Sequence, residues 1–306
     1  MIRVWDAKTG KVIQTLGRES VSVRSVSISP DGKLAAAGFE DGSVDVWDVD
    51  SGQSAGQFRA KQAVTHVAVS SKKNLVLATS RDPVSFKMNT AIWDLRTNKL
   101  AYEQGGRDSA YQTTKMTHTS VIVSPDGAYF GIGDIAGGLR LWDAQEMENA
   151  SALRAELANS RSRRPGQIPR NAFIPLKVNT FGPTAPIQTG VRDMALGPGN
   201  RLLAVGSRNR LHILRKGAQN GKPVYKEVAT TKMESEPQRV AVSPDGKHVA
   251  VGFVGGRVAV WDSELKQLQT SSKKGLRSVT FMGFTSDSKS LLFGDDTRFI
   301  RRVSVK

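Results

Sequence analysis

Short stretches in which apolar and polar residues alternate recur along the whole chain, and turn residues separate them. In one clear example, Val23–Ile28 alternates, Leu34–Ala37 is small and apolar, and Val44–Trp47 alternates again. Turn residues follow the second and third stretches, at Glu40–Gly42 and at Ser51–Gly52. A period of two residues with frequent turn signals is typical of β-strands joined by tight turns. The pattern therefore predicts an all-β chain in which Leu34–Ala37 forms a buried strand.

A tryptophan–aspartate pair ends the third predicted strand of this unit and recurs along the chain. Each of the five tryptophans is followed by aspartate, in the pairs Trp5 and Asp6, Trp47 and Asp48, Trp93 and Asp94, Trp142 and Asp143, and Trp261 and Asp262. The first four pairs are spaced by roughly 40–50 residues, which is a period typical of repeat architectures. The longer last gap holds one degenerate unit, in which Leu214 takes the tryptophan position.

A Ser-Pro-Asp-Gly turn keeps the same period. It stands before a tryptophan–aspartate pair at Ser29–Gly32, Ser124–Gly127 and Ser243–Gly246. Weaker copies of this turn lie at Ser70–Asn74, Gly197–Asn200 and Thr285–Lys289. Proline presets the backbone of the turn, and Asp-Gly tolerates the reversal that follows. Each unit is thus predicted to run strand, turn, strand, turn and then the strand that ends in Trp-Asp.

These units resemble WD repeats, and the chain as a whole resembles a WD-repeat β-propeller. The resemblance covers nearly the whole sequence apart from residues 145–188. It implies blades of four antiparallel strands arranged radially around a channel. We expect each tryptophan to be mostly buried, and each paired aspartate to accept hydrogen bonds at a strand end.

The sequence departs from the family pattern at the histidines. The family's Gly-His dipeptide does not occur, and the histidines stand in predicted first strands (His66 and His118), a second strand (His248) and a third strand (His212). We therefore expect the family's histidine relay to be missing. Packing of the tryptophan rings and of the Val, Ile and Leu faces should then give the blades their rigidity.

The strand count leaves two ring closures open. The chain begins with a predicted third strand at Ile2–Asp6 and a fourth at Val12–Leu16, and the last unit has a first strand (Leu276–Phe284), a second (Ser290–Phe293) and a third (Phe299–Val305). We favour seven blades with the first and last incomplete, and six blades is the alternative. Because open strand edges are costly, a partner or a further part of a longer chain would supply the missing strands. A fragment or an imperfect gene model would explain the same count.

Composition narrows the class of protein. The 306 residues carry a net charge of +16 and no cysteine, which excludes a disulfide scaffold and thiolate zinc sites. No apolar run is long enough to span a membrane, and nothing at the start resembles a signal peptide. We predict a single domain over residues 1–306 located in the cytoplasm, with the nucleus as the alternative.

A basic, proline-containing insertion is predicted at about residues 145–188. A short amphipathic helix is expected at residues 145–160, and a displaced fourth strand at Phe173–Val178. The intervening segment contains Arg161, Arg163, Arg164 and Arg170, which are candidate contacts for a partner or an anion because guanidinium groups pair with carboxylate and phosphate. Few aromatic residues accompany them, so any binding to RNA or DNA would depend on the phosphate backbone.

Catalytic motifs are missing from the sequence. It contains neither G-x-S-x-G nor the phosphate-binding G-x-x-x-x-G-K-[ST], its histidines lack metal-ligand spacing, and Asp295 with Asp296 reads as a polar turn. We therefore expect no cofactor, no metal and no enzymatic activity. The leading hypothesis is an interaction scaffold for other proteins. The alternatives are an accessory that binds RNA, DNA or a ribonucleoprotein, and a regulatory propeller module of a larger signalling protein.

Overall fold

A computed structural model of the chain describes residues 1–7, 9–84, 88–104, 118–134, 139–144, 190–219, 222–271, 278–294 and 300–305. These residues form 24 β-strands and a single 3-10 turn at Pro198–Asn200. The prediction of an all-β fold is confirmed. None of the described residues belongs to a helix of the length and apolarity that a membrane span requires.

The strands pair with their neighbours in the chain, and the pairings within residues 2–104 and 191–304 are all antiparallel. In chain order they are β1 (Ile2–Trp5), β2 (Val12–Leu16), β3 (Val23–Ile28), β4 (Leu34–Phe39), β5 (Ser43–Asp48), β6 (Ser54–Arg59), β7 (Val64–Ser70), β8 (Leu75–Arg81), β9 (Met88–Asp94), β10 (Lys99–Gln104), β11 (His118–Val123), β12 (Tyr129–Asp134), β13 (Leu139–Asp143), β14 (Val191–Leu196), β15 (Leu202–Ser207), β16 (Arg210–Gln219), β17 (Lys222–Lys232), β18 (Pro237–Val242), β19 (His248–Phe253), β20 (Val258–Asp262), β21 (Gln267–Ser271), β22 (Phe281–Phe284), β23 (Ser290–Gly294) and β24 (Ile300–Ser304). The predicted first strand at Leu276–Phe284 is thus shorter than expected.

The strands of the described residues form seven sheets, which we letter A to G in chain order. Sheet A is β1–β2, sheet B is β3–β6, sheet C is β7–β10, sheet D is β11–β13, sheet E is β14–β17, sheet F is β18–β21 and sheet G is β22–β24. Sheets B, C, E and F therefore have the four antiparallel strands that the sequence predicts for a blade.

The chain groups into two compact units, which are described separately. Unit 1 comprises Met1–Thr117, Gly127–Phe130 and Leu141–Lys177, and unit 2 comprises the rest of the chain. Sheets A, B and C lie in unit 1, sheets E, F and G lie in unit 2, and the strands of sheet D are divided between them. The single domain over residues 1–306 stays a prediction.

Neighbouring sheets pack by setting a valine against a glycine. The glycine lies near the end of the second strand of one sheet. A β-carbon added to it would fall within 3 Å of a valine that lies in, or just before, the first strand of the following sheet. In unit 1 the added atom on Gly38 would lie 2.8 Å from Cβ of Val64, and in unit 2 the added atom on Gly252 would lie 2.6 Å from Cβ of Val279. The same arrangement pairs Gly133 with Val191 and Gly206 with Val240. Close approach of two sheets therefore depends on glycine at this position.

The tryptophan–aspartate pairs have the predicted roles in three of the five units. Trp47, Trp93 and Trp261 are buried. The paired aspartates accept hydrogen bonds in the turn that follows, from Ser51 to Asp48, from Arg96 to Asp94 and from Glu264 and Lys266 to Asp262. These aspartates thus close the turn between the third and fourth strands.

The expectation that each tryptophan is mostly buried is wrong for Trp5, which is 46% exposed. Its sheet has two strands among the described residues, so it offers less surface against which the indole can pack. Asp6 nevertheless closes its turn through Thr9, as predicted. Trp142 and Asp143 end β13, and the side chain of Trp142 is outside the described set.

The degenerate unit is confirmed in sheet E. Leu214 pairs with Leu203 at the register at which Trp261 pairs with Val249, and Leu214 is buried. The next residue, Arg215, therefore stands where the other units have the turn-closing aspartate. The hairpin of β16 and β17 continues past this point to residues 219 and 222 instead of turning.

The Ser-Pro-Asp-Gly turns are held by their own side chains. Ser29 Oγ donates to the Asp31 carboxylate over 2.6 Å, and the same Ser29 hydroxyl accepts the backbone N–H of Leu34. Ser243 and Asp245 form the same pair, and Thr285 with Asp287 shows that the weaker copies use it too. Burial acts to raise the pKa of the Asp31 carboxyl, but the hydrogen bonds that Asp31 accepts from Ser29, Ser71 and the backbone of Lys33 together lower it below its usual value.

We expect Trp47→Ala to destabilise the chain by about 3–5 kcal/mol, because a buried indole is replaced by a cavity. Trp5→Ala should cost less than half as much, because that indole is already half in water. Urea unfolding followed by circular dichroism gives both free energies. Equal losses in the two variants would contradict the packing described here.

Candidate interaction surface

A cavity of about 480 Å³ opens in unit 1 where β7 begins and β8 ends. Its lining consists of Arg24, Ala63, Val64, Thr65, Arg81 and Pro83. The alternation along β3 places Arg24 on its exposed side, and Arg81 is the last residue of β8. The cavity therefore combines an apolar floor with two cationic side chains at its rim.

The cavity is built on fixed groups. Arg24 Nη2 donates to the Glu40 carboxylate over 2.6 Å at the surface. Val64 is buried against Gly38, and Thr65 Oγ1 donates to the carbonyl of Thr79 over 3.1 Å. A partner side chain entering here would meet a preformed site and would lose little affinity to reorganisation of the protein.

A third arginine in unit 1, Arg18, stabilises the fold by hydrogen bonding to β5. Arg18 donates from Nε to Asp45 over 3.1 Å and from Nη2 to Ser43 Oγ over 2.9 Å, and its guanidinium lies over the ring of Phe39. Asp45 is buried, and this burial raises the pKa of its carboxyl although Arg18 opposes the shift. Arg18 is thus committed to covering a buried charge.

Within unit 2, the carboxylate of Asp193 joins strands that belong to three sheets. Asp193 in β14 accepts a hydrogen bond from Ser120 Oγ in β11 over 2.7 Å and from the backbone N–H of Val240 in β18 over 2.9 Å. Burial raises the pKa of Asp193, while nearby Arg239 lowers it. Arg239 in turn donates to the carbonyl of Thr280 over 2.6 Å. These polar side chains link one sheet to the next, in addition to the apolar packing that the sequence predicts.

His212 lies in a network that has the order of a serine, histidine and carboxylate triad. Ser207 Oγ is 3.0 Å from Nε2 of His212, Glu227 Oε2 is 3.2 Å from Nδ1, and Thr230 Oγ1 is 3.3 Å from Nδ1. Both Ser207 and His212 are 0% exposed. A substrate cannot reach the serine hydroxyl, so this network is structural.

The remaining predicted histidine positions are confirmed. His66 lies in β7, His118 in β11 and His248 in β19, which are first, first and second strands of their sheets. Within the described ranges, no three His, Cys, Asp or Glu side chains gather in an arrangement that could hold a metal ion.

The predicted anion contacts Arg161, Arg163, Arg164 and Arg170 lie outside the described residues, as do Asp295 and Asp296 and the helix and strand expected in the insertion. They stay predictions. The sequence analysis missed Arg24 and Arg81 as surface candidates. Two signals could have indicated these residues. Arg24 is at an exposed position of an alternating first strand, and Arg81 ends a second strand.

Comparison with known families supports the repeat. Residues 10–48 match the model of the WD domain, G-beta repeat. This stretch contains the pair at Trp47 and Asp48 and the turn at Ser29–Gly32.

Curated relatives are distant. Small ribosomal subunit protein RACK1y of Oryza sativa subsp. japonica is 26% identical over 46% of this chain and 40% of its own length. Autophagy-related protein 16 of Arabidopsis thaliana is 22% identical over 98% of this chain and 50% of its own length. The chain thus spans half or less of the length of these relatives.

A solved structure shows the fold. The β-propeller domain of Myceliophteria thermophila Cps50 (Swd1) superposes with a TM-score of 0.70 at 14% identity, over 99% of this chain and 90% of that one. The fold is therefore a β-propeller of antiparallel blades. The Trp-Asp pairs at the ends of third strands and the match of residues 10–48 to the repeat model make the chain similar to WD-repeat β-propellers.

We expect Arg18→Ala to cost about 2 kcal/mol of unfolding free energy, because it strips the buried Asp45 of a charged hydrogen-bond donor. Arg24→Ala is the matched control, since it breaks an exposed pair worth less than about 1 kcal/mol. Urea unfolding measures both. A larger loss for Arg24→Ala would contradict these roles.

His212 should make stability depend on pH. Burial lowers its pKa from the ordinary value of 6.5, and Arg210 adds to this while Glu227 opposes it. Below pH 6.5 the unfolded chain therefore binds more protons, so stability is present above 6.5 and falls as the pH drops towards the folded pKa. Urea unfolding at about pH 7.5 and 5.5 should show a smaller loss in His212→Gln than in the wild type. An identical loss would contradict the assignment.

Proposed function

We propose that the chain is a non-enzymatic scaffold that binds other proteins and holds them in a larger assembly. The observation that carries this proposal is the cavity of unit 1, where Arg24 and Arg81 border an apolar floor. Arginine beside an apolar pocket is a frequent centre of binding energy in protein interfaces. A floor fixed by the Val64 contact with Gly38 favours binding without rearrangement.

The buried polar groups support a scaffold rather than an enzyme. The carboxylates of Asp45 and Asp193 and the imidazole of His212 are occupied by hydrogen bonds within the sheets. A catalytic group must touch a substrate, whereas Asp45 and His212 are buried and the Asp193 carboxylate is taken up by hydrogen bonds from neighbouring strands. These three groups therefore support a structural role.

The relatives support an assembly role by their names alone. RACK1y is named as a small ribosomal subunit protein, hence a member of a large complex. Nothing in the comparisons favours the alternatives of an RNA- or DNA-binding accessory or a signalling module. The partner of this chain is therefore proposed to be protein.

The test compares partner recovery by two charge-reversed variants of the chain. Arg24→Glu with Arg81→Glu alters the cavity rim, and Lys33→Glu with Lys72→Glu changes the net charge equally at exposed turns between first and second strands of the same unit. Tagged chains are expressed in the source cells, and bound proteins are quantified by mass spectrometry. A defined set of proteins should fall by about tenfold or more with the cavity variant alone. Equal recovery by both variants, or no protein enriched over the tag, would overturn the proposal.

We also infer seven blade positions, of which the first and last are completed by strands from a partner or from further chain. Seven sheets among the described residues support the number. Val26 and Ile28 on β3 are 57% and 53% exposed, and Phe281 and Ile300 are exposed on sheet G, so apolar surface remains for added strands. A cryo-EM map of the chain in its native complex should show strands on these surfaces. Bare surfaces, or a ring closed over six blades, would contradict the inference.

A further inference from the structure

A second cavity, in unit 2, has a strongly basic lining. It measures about 640 Å³ and lies between the turns that join the first and second strands of sheets E and F. Its lining consists of Pro198, Gly199, Arg201, Leu202, Arg215, Lys216, Asp245, Gly246 and Ser263. We call it the basic groove. Three cationic side chains thus face a single carboxylate.

That carboxylate is already committed. Asp245 accepts Ser243 Oγ over 2.5 Å and the backbone N–H of Lys247 over 3.0 Å. Hydrogen bonds from these two residues hold the pKa of Asp245 below its usual value, although burial acts in the opposite direction. Asp245 therefore stabilises its own turn and leaves the groove with an excess of positive charge.

Like charges oppose each other beside the groove. Arg215 in β16 pairs directly with Lys226 in β17, and both side chains are exposed. Like charges at directly opposed positions destabilise a sheet. Arg201 is exposed one residue before β15, and among the described residues neither Arg201 nor Arg215 forms an ion pair. An anion bound here would relieve this repulsion.

The groove exists because sheet E lacks its turn-closing aspartate. With Arg215 at that position, β16 and β17 extend as a longer hairpin. The buried Tyr225 on this hairpin donates its hydroxyl to the carbonyl of Asn200 over 2.7 Å, and the backbone N–H of Lys216 donates to the carbonyl of Arg201 over 2.9 Å. The hairpin is thereby fixed to the turn that carries Pro198, so the backbone positions of Arg201, Arg215 and Lys216 are set before any ligand arrives.

We propose that the basic groove binds an acidic peptide segment of a partner protein, rich in Asp or Glu. The small volume and the apolar surface of Pro198 and Leu202 suit a few side chains of a peptide. Nucleic-acid binding uses long cationic tracks with exposed aromatic rings for stacking, and the lining residues include no aromatic ring. Arginine forks match carboxylates in a bidentate manner.

The basic groove would add the chemistry of one partner segment to the scaffold function, and the proposal rests on the chain binding other proteins. The groove is in unit 2 and is tested with purified chain, whereas the scaffold test alters the unit 1 cavity in cells. Failure of one test therefore leaves the other standing.

The experiment measures fluorescence anisotropy of a labelled peptide of eight glutamates with the whole purified chain. Arg201→Glu with Arg215→Glu should weaken binding by about tenfold or more. Arg208→Glu with Lys232→Glu is the matched control, because both residues are exposed at the opposite end of sheet E and the net charge changes equally. The control should stay within about twofold of the wild type, and circular dichroism checks that each variant is folded.

Three outcomes would overturn the proposal. The first is no binding of the peptide to the wild-type chain at low salt. The second is equal weakening by both pairs of substitutions, which would show attraction by net charge alone. The third is a 12-nucleotide single-stranded RNA that binds more tightly than the peptide and depends on Arg201 and Arg215, which would assign the groove to nucleic acid.

Discussion

Contact between a glycine of one sheet and a valine of the next is the interaction on which the structure depends. A sheet of four short strands cannot cover its own apolar faces, so it must pack against its neighbours. Gly38 receives Val64 in unit 1, and Gly252 receives Val279 in unit 2, with less space than a β-carbon needs. The buried indoles of Trp93 and Trp261 pack in the hydrophobic clusters between the sheets. Close sheet packing at one end of each strand thus fixes where the turns and their side chains lie.

Because the sheets pack through their faces, the residues that can contact a partner lie at the ends of the sheets. Interior polar groups such as Asp193 and His212 are used to join strands and sheets, so they are not available for chemistry. The side chains that line the two cavities lie at the turns and strand ends, and they include four arginines. Charged contact points on packed sheets suit a scaffold, because binding then costs little reorganisation.

Much of the fold could be predicted because short sequence patterns determine the strands and the turns between them. Alternation gave the strands, the Trp-Asp pairs gave the register, and Leu214 was correctly placed as a substitute for tryptophan. The exposure of Trp5 was missed because burial was expected of all five tryptophans alike, although the predicted first blade already lacked the two strands that would cover the indole. The basic groove was missed for a related reason. Arg201, Arg215 and the turn of Asp245 are distant in sequence and meet only when sheets E and F pack.

The central claim is that glycine at the end of the second strand sets the approach of neighbouring sheets. The most direct measurement is the unfolding free energy of Gly38→Ala and Gly252→Ala beside Gly283→Ala, whose added β-carbon would meet nothing within 4 Å. We predict losses of about 1–3 kcal/mol for the first two variants, because a stiff valine cannot move aside, and little or no loss for the third. Equal free energies for all three variants would contradict the account.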